Sequence, residues 1–407
     1  MRGICMKKCI FALLMSAVLA AGITGCSGNN GSSGAQPQES GSGSSVPTAE
    51  AEQPEEKKNA KVTIEGTKFM VDGQELWLNG VNTPWQSWND FCGNMDEAAW
   101  ESTFALLQQD NINCTRIWIN CNGTSVVSLT SDGMVEEVNE DHWTDLDKLF
   151  ALAEKYEAYV MPTLLSFDHF KDNNTGKQKW RDLVMSSAGC DDYAEKYCAE
   201  FAKRYKDCDW IMGVDLMNEP DWVYENEECG KLPWENLTYL FAKCAQAIHE
   251  NSDMLVTVGL GMPKYNSDKY NGNMISDERL KEAAGSDQAY LDFYSPHYYS
   301  WERSSFGFPF TSTPEEYGLG TDKPCVIGET SNDDKAYKMT CEEFYQSAYE
   351  KGWNGVLVWM EYRTDGSSGC DELWYRYDLT KAATNAMNEL IHEKIHPWNN
   401  AEQSEAA

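Results

Sequence analysis

From residue 61 onward, apolar and polar positions fall into short blocks whose period keeps changing. Residues 62–64 and 69–71 alternate with period two on either side of Gly66, and Asp72-Gly73 follows, which predicts a β-hairpin. After it come short apolar runs of strand length at 76–81, 114–119, 159–165, 210–217, 255–260, 291–296, 324–327 and 355–359. Between and after them the spacing turns helical, at 96–109, 143–156, 190–205, 237–249, 277–284, 341–350 and 379–391. Strands that alternate with helices imply parallel pairing through right-handed crossovers. Eight such strands predict a closed (β/α)8 TIM barrel over 61–398, preceded by the hairpin. The rival is an open doubly wound sheet. No GxGxxG follows the first run, so its dinucleotide-binding version is unsupported.

The run 210–217 stops at Asn218-Glu219-Pro220. Proline has no ladder donor, so the strand ends there and leaves Asn218 and Glu219 at its carboxyl end. In a barrel of parallel strands that end carries the site. The other runs close on Asn82, Trp85 and Trp88; on Arg116 and Asn120; on Asp168 and His169; on Asp221 and Trp222; on His297, Tyr299 and Trp301; on Glu329; and on Trp359 and Glu361. A closed barrel turns all of these toward one mouth. Two carboxylates across a cavity are what glycoside hydrolysis requires, one protonated and one ionised. Their surroundings must hold the two pKa values apart, and the neighbouring Arg116 cation favours the ionised form of one. Indole faces suit the apolar C–H faces of sugar rings, which brings in Trp85, Trp88, Trp118, Trp222, Trp301 and Trp359.

Composition narrows the partners. The net charge of -32 excludes nucleic acid and anionic lipid as charge-driven ligands. With only 6 His, four of them (142, 249, 392 and 396) on helices or near the tail, a metal-dependent barrel hydrolase is disfavoured, and no metal or cofactor is expected. There are 14 Cys and no CxxC, which argues against a zinc ribbon or thioredoxin-like site. Beyond the leader an odd number of thiols remains, so at least one is free.

The first 26 residues read as a leader. Arg2, Lys7 and Lys8 precede an apolar stretch, 9–21, that falls short of the roughly 20 residues a spanning helix needs. Ile23-Thr24-Gly25-Cys26 resembles a bacterial lipobox, which implies cleavage before Cys26 and lipidation of its thiol. Residues 27–60, rich in Ser, Gly, Pro and Glu, are expected to be a disordered tether. Residues 399–407 are expected to be a disordered tail. The chain then reads as a monomer on the outside of a bacterial cell, or secreted, meeting membrane only through the anchor.

Together the strand ends resemble glycoside hydrolase family 5. Asn218-Glu219-Pro220 is similar to that family's strand-4 Asn-Glu-Pro, which implies that Glu219 is the acid/base. Glu329 in Ile-Gly-Glu matches its nucleophile. His297-Tyr298-Tyr299 matches its His-x-Tyr, Arg116 its strand-2 arginine and Trp359 the tryptophan under the sugar at the cleavage point. The family usually places a histidine close to the end of strand 3. Here the nearest is His169, four residues beyond Leu165. The resemblance implies a retaining endo-β-1,4-glycanase acting on a β-linked polysaccharide or oligosaccharide, with Asn218 on the 2-OH. Asn79-Gly-Val-Asn82 and the stretch from Asp292 to Trp301 look closer to mannan-degrading members, so β-mannan or glucomannan is expected first. A β-1,4-glucanase is second and an exo-acting glycosidase third. The rival from another class is an inactive, lipid-anchored glycan-binding protein. It would lack a carboxylate, and both are present.

Overall fold

A computed structural model describes residues 58–270, 272–332, 334–360 and 376–399. The described residues all lie in one compact unit, which begins at Lys57. The leader with Cys26, tether residues 27–57, Glu361 and tail residues 400–407 lie outside the described residues.

Eight parallel strands form a closed barrel: β1 (Leu78–Asn82), β2 (Cys114–Trp118), β3 (Tyr159–Thr163), β4 (Val214–Asn218), β5 (Val256–Leu260), β6 (Ser295–Tyr298), β7 (Val326–Thr330) and β8 (Gly355–Trp359). They follow one another around the ring in chain order, and β8 closes on β1. The fold is the expected (β/α)8 barrel. Every residue of the eight strands is buried, which explains near-continuous apolar runs in place of alternation. Helices follow, with caps written in the sequence. Asp96 accepts from the Ala99 amide to start Glu97–Gln109, and Thr340 with Glu343 forms a capping box on Cys341–Glu350.

The structure departs from the sequence pattern at several places. Residue 76 belongs to the N-terminal sheet, which has three antiparallel strands, Val62–Glu65, Lys68–Val71 and Gln74–Leu76. Asp72 and Gly73 both take positive φ, 49° and 74°, the geometry of a tight hairpin turn, so the chain doubles back once more before entering the barrel. β6 lies later than 291–296 because Pro296 sits inside the strand, opposite Leu260, instead of ending it. A hairpin, Val127–Leu129 with Val135–Val138, and a helix, Lys177–Met185, fill loops that carried no clear period. At the tether's end Ala60 is fully buried and its carbonyl accepts from Tyr159, while Lys58 pairs with Glu157 at 2.6 Å. Residues 58–60 therefore pack on the barrel. At the tail, Asn399 ends a short turn, Pro397–Asn399. Nine described cysteines, at positions 92, 114, 121, 190, 198, 229, 244, 325 and 341, are free thiols.

Ladder register brings the strand ends level. Asn82 lies opposite both Arg116 and Trp359, Thr163 opposite Asp215, Asn218 opposite Gly259, and His297 opposite Glu329.

Candidate active site

Glu219 turns the chain sharply as β4 ends. Its backbone is left-handed, φ 47° and ψ 57°, a conformation that costs a non-glycine residue about 1–2 kcal/mol. Its amide donates to the Gly259 carbonyl at 2.7 Å, and Pro220 opens the next helix, Pro220–Glu225. The turn sets the Glu219 carboxyl in the mouth beside Glu329. One oxygen of each carboxyl and a His297 nitrogen all lie within 4.8 Å of one another. Inverting glycosidases hold their carboxyls about 6.5–9.5 Å apart and retaining ones about 5–5.5 Å, so oxygens this close favour the retaining arrangement.

All four oxygens are engaged. Glu219 Oε1 faces His297 Nδ1 at 2.9 Å, and its Oε2 accepts from Trp222 Nε1 at 2.9 Å. Glu329 Oε1 accepts from the Tyr299 hydroxyl at 2.6 Å and its Oε2 from Arg116 Nη1 at 3.2 Å. These three groups are the one set among the described residues spaced to hold a metal ion. The donors already on every oxygen, and the adjacent guanidinium, make the set a hydrogen-bonded carboxyl pair instead.

Burial pushes the Glu219 carboxyl up to about 7, against the pull of Trp222 and Arg116. Burial and the neighbouring Glu219 also raise Glu329, while Arg116 and the Tyr299 hydroxyl oppose the rise. Arg116 and the Tyr299 hydroxyl each donate directly to a Glu329 oxygen, which favours its ionised form. Burial lowers His297 to about 4, so its ring is neutral near pH 7. Nδ1 meets a carboxylate and Nε2 has no partner, which places the proton on Nδ1.

Arg116 is fully buried and organises the floor. Besides Glu329 it reaches Asn82 Oδ1 at 3.0 Å, Asn218 Oδ1 at 2.8 Å and Asp215 Oδ2 twice, at 2.9 and 2.7 Å. Because Arg116 only donates, the oxygen of the Asn218 amide faces it and the NH2 is left for a ligand. Asp215 also accepts from Thr163 Oγ1 and from the Gly259 amide. A Cβ on Gly259 would lie 2.9 Å from His297 Nε2 and 3.0 Å from both Arg116 Nη2 and Asp215 Oδ2, so this close packing needs glycine. Asp215 was not among the residues singled out from the sequence. Its signal there was a carboxylate inside an apolar run.

The tryptophans divide into two groups. Trp359 and Trp118 form a small apolar cluster with Cys121 and Trp85, separate from the main core. Trp85 stands edge-on to Trp88, Trp118 and Trp359, with centroids 4.8, 5.1 and 5.8 Å away. This group sits over β8, β1 and β2. Across the ring, after β4 and β6, Trp222 and the exposed Trp301 lie 6.3 Å apart. His169 is fully buried in a short turn, its Nδ1 on the Ser166 backbone and its ring 4.7 Å from Trp180. Its hydrogen bonds stay within that turn, which makes it a capping residue here.

No family model matches the chain. It is 26% identical over 340 residues to a mannan endo-1,4-beta-mannosidase of Mytilus edulis, spanning 76% of this chain and 89% of that protein. Its fold is similar to that of a β-1,4-mannanase from the sea hare Aplysia kurodai, with a TM-score of 0.70 and 25% identity over 81% of this chain and 97% of that one. A glycoside hydrolase family 5 mannosidase from Rhizomucor miehei shares the fold at a TM-score of 0.53 and 16% identity, over 82% of this chain and 99% of that one. The chain thus resembles mannan endo-1,4-beta-mannosidases in sequence and shares its fold with a family 5 mannosidase.

Proposed function

We propose that this chain is a retaining endo-β-1,4-mannanase, carried by the 4.8 Å grouping of Glu219, His297 and Glu329. Similarity to mannanases supports the substrate. Glu219 protonates the leaving oxygen while Glu329 attacks the anomeric carbon and forms a glycosyl-enzyme. Glu219 then takes a proton from water, and that water's oxygen displaces Glu329. Arg116 and Tyr299 hold Glu329 in place, and His297 orients Glu219. The Asn218 NH2 donates to the 2-OH of the reacting sugar. Trp222 and Trp301 stand on the acid/base arc and receive the leaving sugars. Trp85, Trp118 and Trp359 hold the sugars on the other side of the scissile bond. Platforms on both arcs suit a chain bound through its middle, which favours endo action.

Reducing-sugar release from mannan, glucomannan, carboxymethylcellulose and xylan, run side by side, tests the substrate. Mannan and glucomannan are expected to lead; a lead for carboxymethylcellulose would make the enzyme a glucanase. Proton NMR of the first product tests the spacing: the β-anomer is expected to form first, and an initial α-anomer overturns retention.

The Trp222 indole favours the ionised form of Glu219. Trp222→Phe removes that donor, so the Glu219 pKa rises. The acid must be protonated to act, so the alkaline limb of kcat/KM, expected near pH 7, moves to higher pH. An unchanged limb would show that the indole does not tune the acid.

We also propose that the chain is tethered outside a bacterial cell through a lipid on Cys26, a reading supported by the leader and lipobox pattern. Metabolic fatty-acid labelling is expected to mark the wild type and not Cys26→Ser.

A further inference from the structure

Two buried acids stand behind the reacting pair, and the chemistry above uses neither. Asp221 and Glu302 are fully buried, and each has one oxygen without a partner, Oδ1 and Oε2. Their other oxygens hold backbone. Asp221 Oδ2 accepts from the Gly261 amide at 2.7 Å. A Cβ on Gly261 would lie 3.2 Å from Glu219 Cδ and 3.3 Å from its Oε1, so this stretch of backbone lies directly against the Glu219 carboxyl. Glu302 Oε1 accepts from the Tyr299 amide at 2.8 Å, and the Tyr299 hydroxyl reaches Glu329 at 2.6 Å. One acid is therefore a single residue removed from the proton donor, and the other a single residue removed from the nucleophile.

We propose that Asp221 and Glu302 are positioning residues of the reaction: Asp221 holds the Gly261 backbone against the acid/base carboxyl, and Glu302 holds Tyr299 on the nucleophile. The proposal rests on the mannanase reading. Burial, with the Glu219 charge adding to it, pushes Asp221 up to about 8. Burial likewise pushes Glu302 up to about 9. Near pH 7 both are uncharged acceptors. What each supplies is one lone pair in a fixed place, which an amide oxygen also supplies.

The test compares Asp221→Asn, Asp221→Ala, Glu302→Gln and Glu302→Ala with wild type. Each is run on mannan and on a β-mannobioside with a 2,4-dinitrophenolate leaving group, which needs no proton. The amide variants are expected to keep kcat within about threefold, because the same N–H finds an acceptor. The alanine variants are expected to lose about 10- to 100-fold in kcat with little change in KM, as a displaced reacting group does. For Asp221→Ala the loss in kcat/KM, which reports formation of the glycosyl-enzyme, is expected on mannan and largely absent on the aryl substrate, since that step then needs no proton; kcat on the aryl substrate still falls, because the same carboxyl activates the water of the second step. For Glu302→Ala it is expected on both, since attack itself suffers. Unchanged kcat on mannan in the alanine variants, amide variants as damaged as alanine ones, or equal losses in kcat/KM for Asp221→Ala on both substrates would each overturn the proposal.

Should an alanine variant not fold, Gly261→Ala and Glu302→Met replace it. Gly261→Ala pushes a methyl onto Glu219 and is held to the same leaving-group criterion. Glu302→Met keeps the length without the acceptor and is held to losses on both substrates. A wild type that turns over neither substrate sinks the mannanase reading and this role with it. An active wild type with unaffected variants sinks the role alone.

Discussion

Glu329→Ala is expected to lower turnover of mannan by on the order of 10⁵-fold, because no other group can form the glycosyl-enzyme. Glu219→Ala is expected to lose about 10²–10⁴-fold on mannan, the usual contribution of a positioned acid/base. The two losses differ in kind. Without Glu219, a substrate whose leaving group needs no proton still forms the glycosyl-enzyme, and azide can enter where water was activated. Added azide should then restore turnover and yield a β-mannosyl azide. Azide on the Glu329 variant cannot give that product by double displacement. Both variants should keep the wild-type circular dichroism spectrum, since each loses a carboxyl whose pKa burial had raised. Full activity in either variant would end the double-displacement mechanism.

Arg116→Met carries the largest expected cost in stability. Arg116 and Asp215 are both fully buried and joined by two hydrogen bonds, so removing the cation strands a carboxylate in the barrel. Breaking a buried pair in this way costs about 3–5 kcal/mol. Denaturant unfolding measures it. Arg116→Met with Asp215→Asn should recover part of the loss, since the Asp215 charge is no longer left without its cation, and strict additivity would show that the pair is not coupled. Activity should fall as well. Arg116 favours the ionised form of Glu329, so without it that pKa rises further, and the acid limb of kcat/KM moves to higher pH.

The barrel was legible in the sequence because each buried strand is a short apolar run that closes on polar residues. Glu219, His297, Tyr299 and Glu329 stand at or just past such closures, and the ladder sets Asn82 beside Arg116 and His297 beside Glu329. Asp215 escaped notice because it lies inside its run, and its partner Arg116 is 99 positions away. Glu302 escaped for a different reason. It sits in a loop, where a carboxylate reads as solvated, and only the fold buries it. The hairpin Val127–Leu129 with Val135–Val138 was missed because three and four residues are too few to set a period. Pro296 misled because proline normally ends a strand, and here one holds its place within it.

The left-handed backbone at Glu219 sets folding and chemistry against each other. Asparagine or glycine would sit in that conformation at less cost, and neither would bring a carboxyl into a site that resists its charge. A selection for thermal tolerance alone would therefore favour losing the acid, and libraries screened only for heat resistance would be expected to drift toward inert barrels at this one codon.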